Sequence, residues 1–324
     1  MKIAVIDDYQ NAFRTLKSYP KLRGHEVVVF TDTETDIGKL AERLKDADAV
    51  VLTQQRSSFP RALIERLPKL KLIGQTGRAA THVDLNACID KGIVVSAGGA
   101  GNSSATAELT WGLILSALRN LPFEVQRLKE GHWQSTLGIG VRGKTLGIYA
   151  YGKIGSIVAA AGKAFGARVV CWGREGSTGR ARAAGFEVAE SREDFFAQAD
   201  ILSLHLPLNK DTQGIVTRDD LGRMKPTALI VNPSRAGLIA PGALVEALKA
   251  GRPGMAAVDV YEKEPVIGAD HPLVKMNNVT CTPHLGYVTR EGYEEYYAVV
   301  VDDILAFAAG KPQNVLNPEA MAKK

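Results

Sequence analysis

The sequence predicts an α/β protein with two domains, each built around a doubly wound parallel sheet. Short runs rich in Val, Ile and Leu alternate with amphipathic helical segments along most of the 324 residues. Strands that are apolar on both sides and alternate with helices are typical of a parallel sheet covered on both faces. One long helical segment, followed by an irregular stretch, interrupts this alternation. The interruption and the chain length together predict two domains.

Five strands are predicted before the interruption, and they are the runs KIAVID, HEVVVFT, AVVLTQ, KLIGQT and GIVVSAG. The segments between them, such as IGKLAERLKDA and RALIERLPK, have the apolar spacing of helices. We therefore expect the first hundred residues to form one parallel sheet with helices on its faces.

Residues 102–130 are predicted to be helical. Asn102, Ser103 or Ser104 provides the N-cap, and Pro122 is expected to divide the stretch into two helices. The alternation restarts at residue 145 with the runs TLGIYAY, RVVCWG, FEV, DILSLHLP, ALIVNPS, MAAVDVY and VTCTPH. A sheet of six or seven such strands has the size of a dinucleotide-binding domain.

Composition limits the classes of function. The net charge of +5 comes from Lys and Arg spread along the chain, without the basic run that would indicate nucleic-acid binding. Cys88, Cys171 and Cys281 are far apart, which indicates reduced thiols, and the six histidines lack metal-ligand spacing. The sequence has neither a signal-peptide pattern nor a long uncharged apolar run. We predict a cytoplasmic protein that binds no metal, nucleic acid or membrane.

The segment AYGKIG, residues 150–155, follows a predicted strand and begins a predicted helix. It is close to the G-x-G-x-x-G loop that binds a dinucleotide, with Ala150 at the first glycine position. Gly152 lets the backbone approach a pyrophosphate, and Gly155 allows tight packing of helix and strand. The free N–H groups at the N-terminus of this helix are candidate phosphate ligands. Ala150 is tolerable if its φ angle is negative, which the sequence alone does not determine.

The next strand suggests which dinucleotide is bound. Loops that prefer NAD usually end this strand in Asp or Glu, which binds the ribose hydroxyls. Here Gly173 and Arg174 occupy that place, and Ser177 supplies a further hydrogen-bond donor. A guanidinium binds a 2′-phosphate, so the segment favours NADP(H) over NAD(H). The alternative is that Arg174 is a solvated surface residue and that the site takes NAD(H).

Polar residues cluster at the carboxyl ends of the strands in the second half of the chain. In parallel sheets, ligands bind at this edge. The distribution therefore predicts an active site there, containing His205, Asn232, Ser234, Arg235, Asp259, Glu264 and His284.

These segments resemble the D-isomer-specific 2-hydroxyacid dehydrogenases. The resemblance covers nearly the whole chain, in the order in which the family has its signatures. It is carried by LKLIGQTGRAATHVDLNAC, ATAELTWGLILSALRN, VRGKTLGIYAYGKIG, DILSLHLPLNKDTQGIV, ALIVNPSRAGLI, AVDVYEKEP and NVTCTPHLG. It implies a Rossmann coenzyme domain, residues 101–287, inserted in a flavodoxin-like substrate domain, residues 1–100 and 288–324. It also implies that the active site is the crevice between these domains.

The resemblance implies three catalytic residues. His284 would give a proton to the carbonyl oxygen of a 2-oxo acid, because imidazole titrates near neutral pH. Glu264 would orient His284, and Arg235 would bind the substrate carboxylate. The alternatives are a solvated arginine, a turn glutamate before Pro265 and a structural histidine.

Further binding residues follow from the same resemblance. Asp259 matches the family residue near the nicotinamide amide, and His205 with Pro207 matches its H-x-P element. Thr212 is a candidate of the same group, although a role in a turn explains it as well. The full set of predicted cofactor residues is Thr106, Tyr151, Gly152, Lys153, Ile154, Gly155, Gly173, Arg174, Ser177, His205, Pro207, Thr212, Asn232, Pro233, Ser234, Asp259 and Gly286.

The sequence departs from the family where substrate is expected to bind. The common G-x-G-x-D pattern of the cleft loop is replaced by Gly77-Arg78-Ala79, whose N–H groups are still predicted to bind a carboxylate. Arg78 adds a cation that suits a second acidic group, and Arg56 is a further candidate substrate ligand. Tyr287 stands where the family usually has a small residue. These changes leave the identity of the acid open.

The predicted function is a hydride transfer between NAD(P)H and a small 2-oxo acid or D-2-hydroxy acid. One alternative is a related formate or phosphite dehydrogenase, although Glu264 argues against formate because the formate enzymes have Gln there. Another is an NAD(P)-sensing protein of the co-repressor type. The resemblance also implies a homodimer that associates through the apolar stripe LTWGLILSAL, unless that stripe is buried within the monomer.

Overall fold

Twelve strands and eleven α-helices form the computed structural model, which describes residues 1–99 and 102–323. The strands are β1 Lys2–Ile6, β2 Glu26–Val29, β3 Ala49–Leu52, β4 Leu72–Thr76, β5 Val94–Gly98, β6 Thr145–Tyr149, β7 Arg168–Trp172, β8 Glu187–Val188, β9 Ile201–Leu204, β10 Leu229–Asn232, β11 Met255–Val258 and β12 Val279–Cys281. The helices are α1 Ile37–Leu44, α2 Arg61–Ile64, α3 Leu85–Lys91, α4 Ser103–Leu118, α5 Leu121–Lys129, α6 Lys153–Ala164, α7 Glu175–Ala183, α8 Arg192–Gln198, α9 Arg218–Arg223, α10 Ala243–Lys249 and α11 Arg290–Ala308.

The chain divides into two compact units. One consists of Met1–Gly101 and Thr289–Lys324, and the other of Asn102–Val288. The first contains a parallel five-stranded sheet in the order β2-β1-β3-β4-β5, and the second a parallel seven-stranded sheet in the order β12-β11-β10-β9-β6-β7-β8. The predicted fold class, two parallel-sheet α/β domains, is confirmed.

The five-stranded sheet is buried because its central strands are apolar on both faces. Every residue of β3, β4 and β5 is buried. In register, Ile3 of β1 pairs with Val27 of β2 and with Ala49 of β3. Helix α11 packs on β4 and β5 of the same unit. All five strands point the same way, so the residues after β1, β3 and β4 lie at one edge.

The beginning of the second unit is set by a cap and a proline. The Asn102 side chain accepts hydrogen bonds from the N–H groups of Ser104 and Ala105 and so begins α4. The helix ends at Leu118, and Pro122 lies in the first turn of α5, as the sequence predicted. Trp111 of α4 is buried and donates from Nε1 to the carbonyl oxygen of Val158. The apolar stripe of α4 is therefore largely covered within its own unit.

Candidate active site

The predicted nucleotide loop joins β6 to α6. Gly152 is the N-cap of α6, and no side chain caps the first turn there. A Cβ atom on Gly152 would meet nothing within 4 Å, whereas one on Gly155 would overlap the carbonyl oxygen of Ala150. The first position is therefore open to a ligand, and the second requires glycine. Uncapped N–H groups at the positive end of α6 fit the pyrophosphate of a dinucleotide.

Ala150 has φ +77°. The sequence left this angle open, and the structure has it in the left-handed region, where a Cβ atom is unfavourable by about 1–2 kcal/mol. The residue is held there by a hydrogen bond from its N–H to the carbonyl oxygen of Trp172 and by one from Gly152 to its own carbonyl oxygen. Alanine thus occupies a conformation that favours glycine.

The residues after β7 surround this loop. Gly173 has φ +155°, and Ser177 Oγ accepts a hydrogen bond of 2.7 Å from the N–H of Tyr151, so Ser177 anchors the loop. Arg174 is exposed and pairs with Asp211 at 3.1 Å. Arg180, which the sequence analysis did not identify, donates to the carbonyl oxygen of Tyr151. The sequence indicates this role of Arg180 only through its position, about one and a half turns after the start of α7.

The segment after β9 contains a buried histidine and a tight turn. His205 Nε2 is buried without a hydrogen-bond partner in the described part of the chain, and burial lowers the pKa of His205 to about 3. The imidazole is therefore neutral. Thr212 donates to the carbonyl oxygen of Pro207 at 2.6 Å and accepts from the N–H of Asn209, so its side chain closes the 207–212 turn.

The segment after β10 is ordered by its own polar groups. Asn232 accepts from the N–H of Ser234 and donates to the carbonyl oxygen of Arg235. Ser234 donates to the carbonyl oxygen of Leu206. Pro233, which lies between Asn232 and Ser234 in the sequence, is buried. Arg235 is exposed, with one guanidinium nitrogen bonded to the carbonyl oxygen of Ser234. These bonds fix the backbone that carries Arg235.

Glu264 and His284 are hydrogen-bonded to each other. His284 Nδ1 lies 2.6 Å from Glu264 Oε2, and both side chains are about one-fifth exposed, at 19% and 20%. Glu264 Oε1 accepts from the N–H of Tyr261, which orients the carboxylate. The ring of Tyr287 meets the His284 ring edge to face, with centroids 5.6 Å apart. The structure therefore brings together the predicted pair and adds Tyr287 beside it.

Asp259 holds the loop that follows His284. It is fully buried and accepts from the Thr282 hydroxyl and from the N–H groups of Leu285 and Gly286, at 2.6, 2.7 and 2.9 Å. Burial raises the pKa of Asp259, and these hydrogen bonds oppose the rise. Thr106 donates to the carbonyl oxygen of Gly286. Asp259 and Thr106 together fix the backbone of Leu285 and Gly286, directly after His284. His284 itself has φ +54°.

The predicted substrate residues lie at the carboxyl edge of the five-stranded sheet. Gly77 has φ +101°, which explains why glycine stands there. Arg78 is exposed and donates from Nε to the carbonyl oxygen of Gly99, and Ala79 is exposed beside it. The guanidinium carbon of Arg56 lies 5.5 Å from the centroid of the Tyr9 ring. The sequence analysis did not identify Tyr9 as part of this edge.

The three cysteines differ in burial. Cys88 and Cys171 are buried, and burial raises the pKa of each thiol to about 12, whereas Cys281 is partly exposed. No cluster of metal-ligand side chains occurs in residues 1–99 and 102–323. Within those same ranges, no helix is long and apolar enough to cross a bilayer.

A glycine loop on a doubly wound sheet, with an imidazole–carboxylate pair at the same edge, is the arrangement of the dinucleotide-dependent dehydrogenases. That is the class of protein which the Asn102–Val288 unit defines. Comparison with known proteins makes the assignment narrower. The model of the D-isomer specific 2-hydroxyacid dehydrogenase NAD-binding domain matches residues 111–286. The chain belongs to the D-isomer specific 2-hydroxyacid dehydrogenase family.

Individual relatives agree with this family. The D-3-phosphoglycerate dehydrogenase of Methanocaldococcus jannaschii is 38% identical over 86% of this chain and 53% of its own length. The glyoxylate reductase of Aeropyrum pernix is 35% identical over 87% of this chain and 86% of its own length. The chain thus spans about half the length of the phosphoglycerate dehydrogenases that it matches.

Solved structures give the same result. A phosphoglycerate oxidoreductase from Vibrio cholerae O395 superimposes with a TM-score of 0.92 and 45% identity, covering 96% of this chain and 99% of that one. The apo form of D-lactate dehydrogenase from Escherichia coli has a TM-score of 0.84 and 27% identity, covering 98% and 100%. The fold is therefore shared across family members that differ in the acid named for them.

Proposed function

We propose that the protein is an oxidoreductase that transfers a hydride between NAD(P)H and a 2-oxo acid, forming a D-2-hydroxy acid. The observation that carries the proposal is the 2.6 Å hydrogen bond between His284 Nδ1 and Glu264 Oε2. This bond assigns Nδ1 of His284 to the carboxylate, so the proton exchanged with substrate belongs to Nε2. A histidine oriented by a carboxylate is suited to general acid–base catalysis.

The chain's own groups supply the proton and the charge stabilisation. When bound at the Gly152 loop, NAD(P)H would supply the hydride. His284 gives the Nε2 proton to the carbonyl oxygen, and the negative charge of Glu264 stabilises the imidazolium before transfer. Arg235, whose guanidinium is exposed, binds the substrate carboxylate and stabilises charge on the developing alkoxide. In the oxidative direction neutral His284 accepts the hydroxyl proton.

Arg56 and the loop Gly77–Ala79 are proposed to bind the rest of the substrate. The support is chemical: the loop carries N–H groups suited to a carboxylate, and Arg56 and Arg78 add two cations at the same edge of the five-stranded sheet.

Turnover assays test the proposed reaction. Purified protein is mixed with NADH or NADPH and a panel of 2-oxo acids, and the loss of absorbance at 340 nm is followed. The variant His284→Ala is expected to lower kcat by about 10²–10⁴-fold. His271 forms a second His–Glu pair, with Glu262 at 2.9 Å, outside the proposed site. His271→Gln is therefore the matched control, with an expected change below about twofold.

Two results would overturn this assignment. A loss of less than tenfold in His284→Ala would mean that another group transfers the proton. Tight NAD(P)H binding without reduction of any acid would favour a dinucleotide-sensing protein of the co-repressor type.

We further propose a preference for NADP(H). The support is the absence of a carboxylate at the Gly173–Arg174 end of β7 and the presence of Arg174 and Arg180 around the loop. Asp211 pairs with Arg174 and competes with a 2′-phosphate, so the preference is expected to be moderate. Arg174→Ala should raise KM for NADPH about tenfold and leave KM for NADH within about twofold. A preference of the wild-type protein for NADH would contradict the proposal.

A homodimer in the cytoplasm is also proposed. Its support is a group of exposed apolar side chains on α5 and the segment after it, Leu121, Phe123, Val125, Leu128, Trp133 and Leu137. Because α4 is covered within its unit, this surface replaces the α4 stripe as the candidate contact. Unpaired buried thiols agree with a reducing compartment. Light scattering after gel filtration should give twice the 34.8 kDa chain mass, and a single-chain mass would contradict the dimer.

A further inference from the structure

A closed set of contacts joins three neighbouring strand ends of the five-stranded sheet. Asp7 follows β1, Thr33 lies beyond β2, and Ser57 lies beyond β3. Thr33 Oγ1 donates to Asp7 Oδ1 at 2.7 Å, and Ser57 Oγ donates to Asp7 Oδ2 at 2.8 Å. Because the Thr33 proton is used in this way, the Tyr9 hydroxyl donates to Thr33 Oγ1. The Tyr9 ring lies beneath Arg56, the residue before Ser57, which closes the set.

Asp7 differs from an ordinary capping aspartate. Its neighbour Asp8 accepts from the N–H groups of Ala12 and Phe13, so it only caps the next turn. Asp7 is 2% exposed, has φ +60°, and receives its hydroxyl donors from residues 26 and 50 positions away. Burial raises the pKa of Asp7, while the two hydroxyls and Arg56 lower it. A buried carboxyl bonded to residues distant in the sequence restricts the positions of the residues that it joins.

The segment that carries Arg56 is also bound to the predicted carboxylate-binding loop. The N–H of Gln54 donates to Thr76 Oγ1 at 2.7 Å, and Gln75 Nε2 donates to the carbonyl oxygen of Gln54. Gln55 Nε2 donates to Thr81 Oγ1 at 3.3 Å. Residues 54–56 therefore have a fixed position beside loop 77–79, where Arg78 is exposed.

We propose that Asp7, Tyr9, Thr33 and Ser57 are positioning residues that hold Arg56 toward a second anionic group of the substrate, beyond its 2-oxo acid group. The inference rests on the proposed function for the reaction itself. The Tyr9 ring fixes the guanidinium by a cation–π contact, and the relay through Thr33 and Asp7 fixes the Tyr9 ring. A guanidinium with a fixed direction recognises a second carboxylate or phosphate with less entropy loss than a mobile one.

Kinetics with two acids that differ by one carboxylate test this inference. Oxaloacetate and pyruvate are compared as substrates of the full chain. Tyr9→Leu is expected to raise KM for oxaloacetate about tenfold relative to KM for pyruvate, with kcat for oxaloacetate changed by less than about twofold. Tyr9→Phe keeps the ring under Arg56 and loses only the hydroxyl, so its relative KM should rise less than about threefold. Equal losses with both acids in Tyr9→Leu would overturn the inference.

A matched serine pair separates the relay from general effects on the loop. Ser57 is buried and donates to Asp7, whereas Ser58 is exposed and makes a long hydrogen bond of 3.4 Å to the carbonyl oxygen of His82. Ser57→Ala should raise the relative KM for oxaloacetate about three- to tenfold, and Ser58→Ala should leave it within about twofold. The same relative KM in both variants would also overturn the inference.

Calorimetry distinguishes failure of this inference from failure of the proposed reaction. D-malate and D-lactate are titrated into the wild-type chain and into Tyr9→Leu in the presence of NADPH, so that no hydride acceptor is present and only binding is measured. Tighter binding of D-malate by the wild type, and its loss in Tyr9→Leu, would support the positioning role even if no 2-oxo acid is reduced. Equal affinity of the wild type for the two hydroxy acids would reject a site for a second anion, whatever the turnover assays give.

Discussion

Two buried aspartates lie at the carboxyl edges of the two sheets, and they are bonded in different ways. Asp259, after β11, receives two backbone N–H groups and one hydroxyl from within 27 residues, all in one short loop. Asp7, after β1, receives two side-chain hydroxyls from two different strand ends. Both are at most 2% exposed, and burial raises the pKa of each.

The carboxylates of Asp259 and Asp7 fix different parts of the structure, backbone in the first case and side chains in the second. Backbone donors to Asp259 determine the path of the chain next to His284, so a change there is expected to move the proposed acid–base group. Hydroxyl donors to Asp7 determine side-chain positions around Arg56, so a change there alters recognition while the backbone is held by other bonds. We therefore expect substitution of Asp259 to lower the rate and substitution of Asp7 to weaken substrate recognition.

Among the substitutions that test this comparison, Asp259→Asn is expected to have the largest effect. The new amide group would oppose a backbone N–H donor, and His284 would lose its fixed position. A displacement of about 1 Å from productive geometry lowers rate about 100-fold, so kcat should fall by roughly that factor. Thr282→Val removes one of the three hydrogen bonds of Asp259 and should cost less than about tenfold. Steady-state kinetics measure kcat of both variants. An unchanged kcat in Asp259→Asn would contradict the expected difference between Asp259 and Asp7.

Gly77→Ala should destabilise the edge near Asp7. The φ angle of +101° is unfavourable for any residue with a Cβ atom, at a cost of about 1–3 kcal/mol, although the new atom would meet only Gln54 at 3.6 Å. Gly112→Ala, at an open position inside α4, should instead raise stability by about 0.5–1 kcal/mol. Thermal melts of the two variants should shift in opposite directions. A higher melting temperature in both variants would show that the positive φ angle at residue 77 does not disfavour alanine.

Asp7→Asn should change the dependence of stability on pH. Because the pKa of Asp7 is raised in the folded protein, its stabilising contribution is complete below the unfolded pKa and is lost as pH rises through the folded pKa. An asparagine does not ionise, so the melting temperature of the variant relative to wild type should increase as the pH is raised from about 4. Melts at several pH values measure the difference. A relative decrease over that range would mean that the folded state favours the carboxylate.

The smallest effect is expected from Ala150→Gly. Glycine relieves a φ angle of +77° and also increases the entropy of the unfolded chain. The two terms nearly cancel, and a gain of at most about 1 kcal/mol is expected. Melting temperature and KM for the cofactor measure the outcome. A marked loss of cofactor affinity would show that the methyl group itself contacts the dinucleotide.

The sequence predicted the seven-stranded half well because its signals are local. Valine-rich runs end in polar residues, and the carboxyl ends of parallel strands meet at one edge, so Glu264 and His284 could be expected near each other. The break before α5 followed from Pro122 in the same way. The sequence did not predict the φ angle of Ala150. This left-handed angle depends on hydrogen bonds with Trp172 and Gly152.

The five-stranded half was predicted in outline only. Asp7 was visible as the end of a strand, but its partners Thr33 and Ser57 are ordinary hydroxyl residues at no characteristic spacing. Likewise, an arginine after β7 gives no sign that Asp211 will pair with it. Contacts between side chains from distant loops follow from tertiary packing, and no local pattern encodes them.

The hydrogen bond from Thr106 to Gly286 connects the two ends of the Asn102–Val288 unit. These two residues lie four and two positions from the ends of the Asn102–Val288 unit, so the unit begins and finishes at the same place. A domain with adjoining termini can be spliced into a surface loop of a host without stretching it. The bond therefore joins the two points at which the chain enters and leaves the unit.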